Sequence, residues 1–280
     1  MSAGQHFPVG ALYVVGTPIG NAADLSPRAA EVLSRVDVIA AEDTRRTRGL
    51  LTSIGAKTPL FAYHEHNESD AGPQLIARLQ AGERVALVSD AGMPSISDPG
   101  YALVALARSH DIVVMSVPGP CAATAALSIA GLPTDRYVFE GFLPRRDARR
   151  NARLRELARE SRTLVFYEAV HRMPATLADL ALAFGGERRA AVARELTKLF
   201  ETVYVDSLGA LATRVREDIE MRGEFVILVE GAADTVADDA EVTRIYGMLV
   251  AELDPKTAVM LTAKLTGRKR NDVYRLARGQ

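Results

Sequence analysis

The chain has 280 residues, of which 48% are hydrophobic and 25% are charged, and this composition is typical of soluble globular proteins. Its formal net charge of -1 excludes a uniformly basic coat for binding nucleic acid. The single cysteine, Cys121, excludes an intramolecular disulfide and any cysteine-cluster metal site, and this usage is typical of the reducing cytoplasm.

The first half of the chain alternates short apolar strands with helices. The helix starts carry capping residues such as Ser26 followed by Pro27, and Gly55 follows a helix end. Five strands joined in this way predict a parallel sheet with helices on both faces. The strands are predicted over residues 11–15, 36–41, 60–63, 84–88 and 112–117.

A second α/β unit is predicted after the turn at residues 131–135. Its strands are predicted over 137–142, 163–167, 190–193, 202–205 and 225–229, in a sheet of mixed direction, with helices over 147–160 and 173–184. The tail is predicted as three short helices separated at Asp254-Pro255 and at Gly267. The predicted fold is therefore α/β: two αβα domains, over 1–134 with a parallel sheet and over 135–233 with a mixed sheet, and a small helical C-terminal segment over 238–280.

Two stretches argue against export and membrane insertion. Met1 to Gly10 has neither the basic region nor the apolar region of a secretion signal. The uncharged stretch over 113–134 is interrupted by prolines and glycines, so it is a poor membrane span. We therefore expect a cytoplasmic protein without a membrane partner.

Small, polar loops follow four of the predicted parallel strands, over 16–21, 42–45, 89–100 and 118–122. In the third loop, Asp90 stands at the strand end, and Asp98 is predicted to cap the next helix with Pro99 in its first turn. One such loop is more simply an ordinary connection, but several together at the rim of a parallel sheet favour a ligand site. The Gly-x-Gly-x-x-Gly and P-loop patterns are absent, so neither NAD nor ATP is predicted.

Residues 64–66 read His-Glu-His and allow a metal-binding interpretation. His64 and His66 are two apart on a strand end and share a face, so they could hold one ion with Glu68 or Asp70. No third histidine and no cysteine lies nearby in the sequence, so contact with RNA or a cofactor is the preferred interpretation and no metal is predicted.

Basic residues cluster in two stretches of this nearly neutral chain. Arginines crowd the predicted helix over 147–160 and its flanks, and the tail over 256–278 has Asp272 as its only acid. Phosphate contacts explain such clustering, although a solvated helix face explains the first stretch equally well. The tail over 257–277 has a helix-turn-helix pattern, with a packing cap or a dimer contact as alternatives.

The chain resembles the tetrapyrrole methylase superfamily over essentially its whole length. Each motif is weak alone, but the set in this order is specific. The usual Gly-Asp-Pro loop and Pro-Gly-x-Ser turn of the superfamily read Ser89-Asp90-Ala91 and Pro118-Gly119-Pro120-Cys121 here. The motifs that carry the resemblance are VVGTPIGN at 14–21, AEDTR at 41–45, YHEHNE at 63–68, VSDAGMP at 88–94, GFLP at 141–144, FYE at 166–168 and RELTK at 194–198.

The resemblance implies binding of S-adenosylmethionine in the cleft between the two α/β domains. The members that the chain resembles most place a methyl group on the ribose 2′-hydroxyl of a cytidine in the decoding region of 16S rRNA. Their likeness implies the small ribosomal subunit as partner and a homodimer. Two alternatives stay open: a methylase acting on a tetrapyrrole, which leaves the basic stretches unexplained, and a non-catalytic RNA-binding assembly factor.

Three sets of site residues are predicted. The resemblance implies the cofactor set, whereas the catalytic and substrate candidates rest on their place at the rim and on the basic stretches. The cofactor set is Asp90, Ala91, Gly92, Met93, Ile96, Cys121, Ala122, Phe166, Tyr167, Leu196, Gly223 and Glu224. A base or cation at the rim would help to remove the proton of the ribose hydroxyl. The candidates are Glu42, Asp43, His64, Glu65, His66, Glu195 and Lys198. Of these, the residues predicted to be catalytic are Glu42, Asp43, His66 and Lys198. The substrate set is Thr17, Pro18, Asn21, Arg45, His64, Arg145, Arg149, Arg150 and Arg153.

Overall fold

The structure is a computed structural model that describes residues 7–233 and 239–278, without the side chain of Arg278. Most of the stretch Met1 to Gly10 and the predicted start of the tail at residue 238 lie outside the described residues. The chain divides into two units, one up to Glu230 and one from Gly231 onward. The predicted domain boundaries at 134 and 233 stay predictions.

The first sheet of the larger unit has five parallel strands in the order β3-β2-β4-β1-β5. Its strands are β1 Ala11–Val15, β2 Val38–Ala41, β3 Leu60–Ala62, β4 Val85–Val88 and β5 Val113–Val117. The helices between and after them are α1 Pro27–Arg35, α2 Thr44–Ser53, α3 Glu68–Gln80, α4 Tyr101–Ser109 and α5 Ala122–Ile129. Alternate residues of β1 and β4 enter two separate apolar cores, so both faces of the sheet are covered, as predicted.

Two helix starts differ from the prediction. Helix α3 begins at Glu68, upstream of Pro73, because Ala71 belongs to the same buried stripe as Leu75 and Leu79. Helix α4 begins at Tyr101 with Gly100 as its N-cap residue, so Asp98 does not cap it. The backbone of Gly100 has φ +136, and its N–H donates to Glu68 Oε1 at 3.2 Å, which fixes the end of the loop that carries Asp98.

The second sheet of the larger unit is mixed, in the order β6-β7-β10-β8-β9, with β6 and β7 parallel and the other pairs antiparallel. Its strands are β6 Tyr137–Phe142, β7 Thr163–Ala169, β8 Arg189–Arg194, β9 Thr202–Ser207 and β10 Glu224–Val229. Helices α6 Asp147–Leu157 and α7 Met173–Phe184 were predicted. Helix α8 Leu208–Glu217 was not predicted, although the sequence carries its signals: Ser207 caps it, and Leu208, Leu211 and Val215 form its buried stripe.

The smaller unit consists of three helices, α9 Asp239–Val250, α10 Pro255–Thr266 and α11 Arg270–Arg278. Asp254 caps α10 by accepting hydrogen bonds from the backbone N–H groups of Lys256 and Thr257, and Gly267 ends it in the left-handed conformation. Val242, Val259, Ala263 and Val273 form its apolar core. The predicted separation of three helices at these two positions is confirmed. None of the helices in the described residues is both long and apolar enough to cross a membrane.

Candidate functional site

The loops after β1, β4 and β5 meet at the carboxyl edge of the parallel sheet. Thr17 pairs with Gly92 through two backbone hydrogen bonds of 2.9 and 3.1 Å, and Thr17 Oγ1 donates to the carbonyl of Ser89 at 3.1 Å. A Cβ on Gly119 would lie 2.8 Å from the Cα of Gly16. The two backbones can approach this closely only because positions 16 and 119 are both glycine. Together these contacts hold the three loops in one fixed arrangement.

A cavity of about 290 Å³ lies between these loops and the second sheet. Its size is near the lower end of the roughly 300–1,000 Å³ common for small-molecule sites. Both sheets contribute to it, because β7 and the start of β10 supply the opposite wall. Of the predicted cofactor residues, those that line it are Ala91, Gly92, Met93, Ile96, Cys121, Ala122, Tyr167, Leu196, Gly223 and Glu224.

Two members of the predicted cofactor set lie elsewhere. Phe166 is fully buried in the other core of the second sheet, because successive residues of a strand point to opposite faces and its neighbour Tyr167 faces the cavity. The prediction is therefore wrong for the Phe166 side chain. Asp90 lies in the wall of a second cavity, where its Oδ1 accepts from the backbone N–H of Asp43 at 3.0 Å.

The sequence did not identify several residues of the first cavity: Ile19, Ser97, Asp98, Phe142, Glu168 and Ala169. Asp98 was assigned to a helix cap, and the available signal was its place in the same small-residue loop as Asp90. The pKa of Asp98 is raised to about 6, mainly because the carboxyl is partly buried. A hydrogen bond from Ser89 lowers this pKa, whereas the negative charges of Glu42 and Asp90 raise it.

The electrostatics of the first cavity suit a cationic ligand. Within the described part of the chain, no lysine or arginine lines it. The fully buried carboxylate of Glu168 is held by Arg172 at 3.3 Å and by the hydroxyl of Thr176 at 2.6 Å. Tyr167 accepts a hydrogen bond from the backbone N–H of Ala123 at 3.1 Å, and burial raises the pKa of its phenol. Among the residues that the structure describes, Asp98 is thus the acidic residue of this wall that has no basic partner.

A second, more open cavity of about 440 Å³ adjoins the first. The two share Ile19, Ala91 and Glu224 in their walls. The second cavity is also lined by Thr17 and Pro18 of the β1 loop, by Arg46, Thr47, Gly49, Leu50 and Ser53 of α2, and by Asp90 and Lys198. A group held in it is therefore separated from the first cavity by a few side chains only.

Lys198 is fixed at the boundary between the two cavities. Its ammonium donates to Glu195 Oε1 and to Glu224 Oε2, both at 2.8 Å. Burial alone would lower the pKa of Lys198, but the bonds from the two carboxylates raise it, and the bond from Lys198 lowers the pKa of Glu195. A Cβ on Gly20 would lie 2.5 Å from Lys198 Cγ, so the lysine chain packs directly on that glycine. Lys198 therefore presents a positive charge at neutral pH.

The other three predicted catalytic residues line neither cavity. Glu42 Oε2 accepts from the backbone N–H of Asp90 at 3.3 Å. Asp43 caps α2 and is hydrogen-bonded to Arg45, which lowers its pKa to about 2 and makes it a weak base. His66, like Glu65, is exposed. Lys198 is thus the member of the set that the structure places at a cavity.

The remaining substrate candidates of the first sheet lie near its carboxyl edge. Asn21 caps a short 3-10 helix over Ala22–Asp24. Arg45 is 90% exposed and pairs with Asp43. His64 has a backbone N–H bonded to Asn67 Oδ1 at 2.8 Å, while its buried Nδ1 has no partner among the described residues. No group of three His, Cys, Asp or Glu side chains suited to a metal ion occurs in the described residues.

The structure divides the predicted arginine set of α6 into two kinds. Arg145, Arg146 and Arg149 are exposed at its N-terminal end. Arg150 is buried and pairs with Asp179 at 2.6 Å and with Asp147 at 3.0 Å, so the prediction that it contacts substrate is wrong. Arg153 is half-exposed, but Glu140 and Glu156 hold its guanidinium at 2.8 Å each.

The family of the protein follows from this fold and site together with sequence comparison. The chain belongs to the tetrapyrrole methylase family: the profile of the Tetrapyrrole (Corrin/Porphyrin) Methylases matches residues 11–212. A second profile, the RsmI C-terminal HTH domain, matches residues 236–278. The predicted family and the predicted dependence on S-adenosylmethionine are confirmed, and the chain is a methyltransferase.

Several curated relatives carry the name ribosomal RNA small subunit methyltransferase I. The protein of Xylella fastidiosa (strain Temecula1) is 53% identical over 269 residues, which are 95% of this chain and 98% of that protein. The Pseudomonas aeruginosa protein is 51% identical, over 96% of each chain. The Escherichia coli O157:H7 protein is 48% identical, over 96% of this chain and 94% of its own.

Solved structures confirm the predicted fold. Uroporphyrin-III-C-methyltransferase from Thermus thermophilus aligns with a TM-score of 0.54 at 23% identity, over 79% of this chain and 94% of that chain. The methyltransferase CobJ aligns with a TM-score of 0.60 at 22% identity, over 80% and 95% of the two chains. At this identity the likeness shows the two-domain α/β fold alone.

Proposed function

We propose that the protein transfers the methyl group of S-adenosylmethionine to the ribose 2′-hydroxyl of a cytidine in the decoding region of 16S rRNA, in the small ribosomal subunit. The observation that carries this proposal is the pair of adjoining cavities. One is small and has no lysine or arginine among the described residues that line it, and the other is open and holds a fixed ammonium. The relatives named as methyltransferases of small-subunit rRNA support the same substrate.

The first cavity fits the cofactor. Its apolar wall of Ile19, Met93, Ile96 and Leu196 suits an adenine ring, and the Asp98 carboxyl suits a cation. The proposed cofactor contacts are the ten predicted residues that line the cavity, with Asp98 added. Asp90 is kept as a contact from the shared wall, because the adjacent Ala91 lines both cavities.

The second cavity is proposed to receive the target ribose. When bound, S-adenosylmethionine supplies a methyl group that is already activated, so placement of the hydroxyl in line with it contributes much of the rate. In this placement Lys198 donates a hydrogen bond to the hydroxyl oxygen and stabilises the negative charge that develops there. Glu224 lies 2.8 Å from Lys198 Nζ and borders both cavities, so it is placed to accept the hydroxyl proton.

RNA contacts are proposed at both ends of this cleft. Phe142 lines the first cavity, and the exposed Arg145 and Arg149 follow it in the chain. Thr17, Pro18 and Arg46 line the second cavity, with Arg45 beside them on α2. Asn21 and His64 stay proposed substrate contacts at the same sheet edge, and the homodimer and the cytoplasmic location stay predictions.

Replacing Arg145 and Arg149 together by alanine is expected to weaken RNA binding and its dependence on salt. Each lost phosphate contact should lower the logarithmic salt slope by about 0.7–0.9, so the double variant should lose about 1.5. Filter binding across a salt series measures this slope. Arg108→Ala with Arg216→Ala removes the same charge from exposed positions on α4 and α8, and it should leave the slope unchanged.

Replacing Arg150 is expected to affect the stability of the fold instead of a contact with RNA. Its replacement by alanine leaves Asp179 unpaired and is expected to lower the free energy of unfolding by about 3 kcal/mol. An RNA-binding defect in that variant therefore reports on folding. Equal slopes for the wild type and the Arg145/Arg149 variant would remove α6 from the RNA surface.

The proposed function is tested by offering wild-type protein tritiated S-adenosylmethionine together with either small ribosomal subunits or a tetrapyrrole. The proposal expects label in 16S rRNA and none in the tetrapyrrole. Label in the tetrapyrrole alone would refute it, and label in neither would also refute the proposed substrate.

A further inference from the structure

An exposed apolar pair stands beside the second cavity. Leu199 is 90% exposed and Phe200 is 64% exposed, and both follow directly after Lys198, which lines that cavity. Exposed side chains of this size cost solubility when they serve no contact, and two adjacent ones directly after a residue that lines a cavity indicate a binding role.

The loop that carries the pair is rigid. Over residues 195–201, the backbone N–H of Lys198 donates to the carbonyl of Glu195 at 3.0 Å, and that of Glu201 donates to the carbonyl of Lys198 at 3.1 Å. The Glu201 carboxylate accepts from the backbone N–H of Thr197 at 2.5 Å. Glu195 and Thr197 have φ of +53 and +65, which non-glycine residues rarely adopt. This loop therefore fixes Leu199 and Phe200 in the solvent instead of letting them fold inward.

The surroundings of the pair are those of a site for nucleic acid. Lys198 precedes it, and Arg46, which is 69% exposed and pairs with Asp90 at 3.4 Å, lines the same cavity. Arg48, two residues further along α2, does not line the cavity, but it is exposed and has no acidic partner within the described residues. An apolar and aromatic pair beside cationic side chains matches a base flanked by phosphates, since bases stack on aromatic rings and phosphates pair with arginine.

We propose that Phe200, with Leu199, is the wedge that stacks on the base next to the target nucleotide and so holds the target extruded into the second cavity. This inference rests on the proposed function and adds the element that opens the RNA. The ribose of a stacked nucleotide cannot enter the second cavity unless the base of that nucleotide leaves the stack. The neighbouring base then loses its stacking partner, and an exposed aromatic ring can take that place. The group that Leu199 and Phe200 bind is thus an RNA base.

The experiment uses full-length protein and small subunits reconstituted with 16S rRNA that carries 2-aminopurine beside the target cytidine. Phe200→Ala is expected to lower methyl transfer about 5- to 100-fold, the range of one lost base stack, and to abolish the fluorescence rise that reports unstacking. Phe200→Trp should retain both. Leu199→Ala should show a smaller loss, and Leu182→Ala, which removes an 86% exposed leucine from α7, should show none.

Each outcome decides the inference. Calorimetry with S-adenosylmethionine should give the wild-type affinity for every variant, because Phe200 does not line the first cavity. Wild-type transfer and fluorescence in Phe200→Ala would overturn the wedge while leaving the proposed function intact. A shift of Phe200→Ala from dimer to monomer in sedimentation would assign the pair to a subunit interface and would also overturn it. Failure of the wild-type protein to methylate the subunits would instead refute the proposed function.

Discussion

Replacing Lys198 by methionine is expected to lower the rate of methyl transfer about 100- to 1,000-fold at saturating substrate. The variant keeps the packing of the lysine chain on Gly20 but removes the ammonium that lies 2.8 Å from Glu195 and Glu224. The developing charge on the ribose oxygen then loses the ammonium proposed to stabilise it. Single-turnover kinetics with small subunits measures the loss at the chemical step.

Two controls separate this role from a structural one. Lys57→Met removes a charge from an exposed lysine between α2 and β3 and should keep the wild-type rate. Calorimetry should show that Lys198→Met binds S-adenosylmethionine with wild-type affinity, since Lys198 is absent from the lining of the first cavity. A rate within threefold of wild type in a folded Lys198→Met protein would exclude Lys198 from catalysis.

The affinity for S-adenosylmethionine is expected to fall about tenfold between pH 7 and pH 5. The pKa of Asp98 is about 6, so its carboxyl is largely protonated at pH 5 and no longer attracts a cationic ligand. Glu168 and Glu224, the other carboxylates of this wall, are paired with Arg172 and Lys198. Burial raises the pKa of the Tyr167 phenol, so Tyr167 carries no charge in this range. Calorimetry in buffers of different ionisation enthalpy should show proton release on binding near pH 6.

The same carboxyl should make the unliganded protein less stable as the pH rises. The native state holds the Asp98 proton more tightly than the unfolded chain, whose pKa is near 3.8, so stability falls between about pH 4 and pH 6. Asp98→Asn should remove both effects, giving weaker but pH-independent binding. A variant that retains the wild-type pH profile would show that another group is responsible.

The sequence was most informative where local pattern decides the structure. The buried strand over Val85–Val88, the small-residue loop after it and the capped helix at Asp254-Pro255 are determined by residues adjacent in the chain. The parallel sheet then brings the strand ends to one edge, so the loop side of the first cavity was predictable, whereas its second-sheet side was predicted from the family resemblance. The prediction differed from the structure at the starts of two helices. At α3 the buried stripe extends the helix upstream of Pro73, and at α4 Gly100 is the N-cap residue instead of Asp98.

Contacts between distant residues were not predictable from one sequence. Arg150 resembled its exposed neighbours Arg145 and Arg149 until the fold placed it against Asp179. Lys198, in the loop between β8 and β9, acquires its position from Glu224, which is 26 residues away at the start of β10. Phe166 and Tyr167 are adjacent aromatic residues in the motif, and only the register of β7 decides which one faces the cavity. These are consequences of sheet pairing and packing, which local composition does not encode.

The most direct test of the proposed function is to map the labelled nucleotide in 16S rRNA after transfer from tritiated S-adenosylmethionine. A methyl group on a ribose 2′-oxygen blocks alkaline cleavage at that position, so partial hydrolysis identifies both the nucleotide and the methylated atom. The proposed function predicts a single resistant position at a cytidine of the decoding region, carrying all of the label. Label on a base atom, at another nucleotide, or spread over many positions would contradict it.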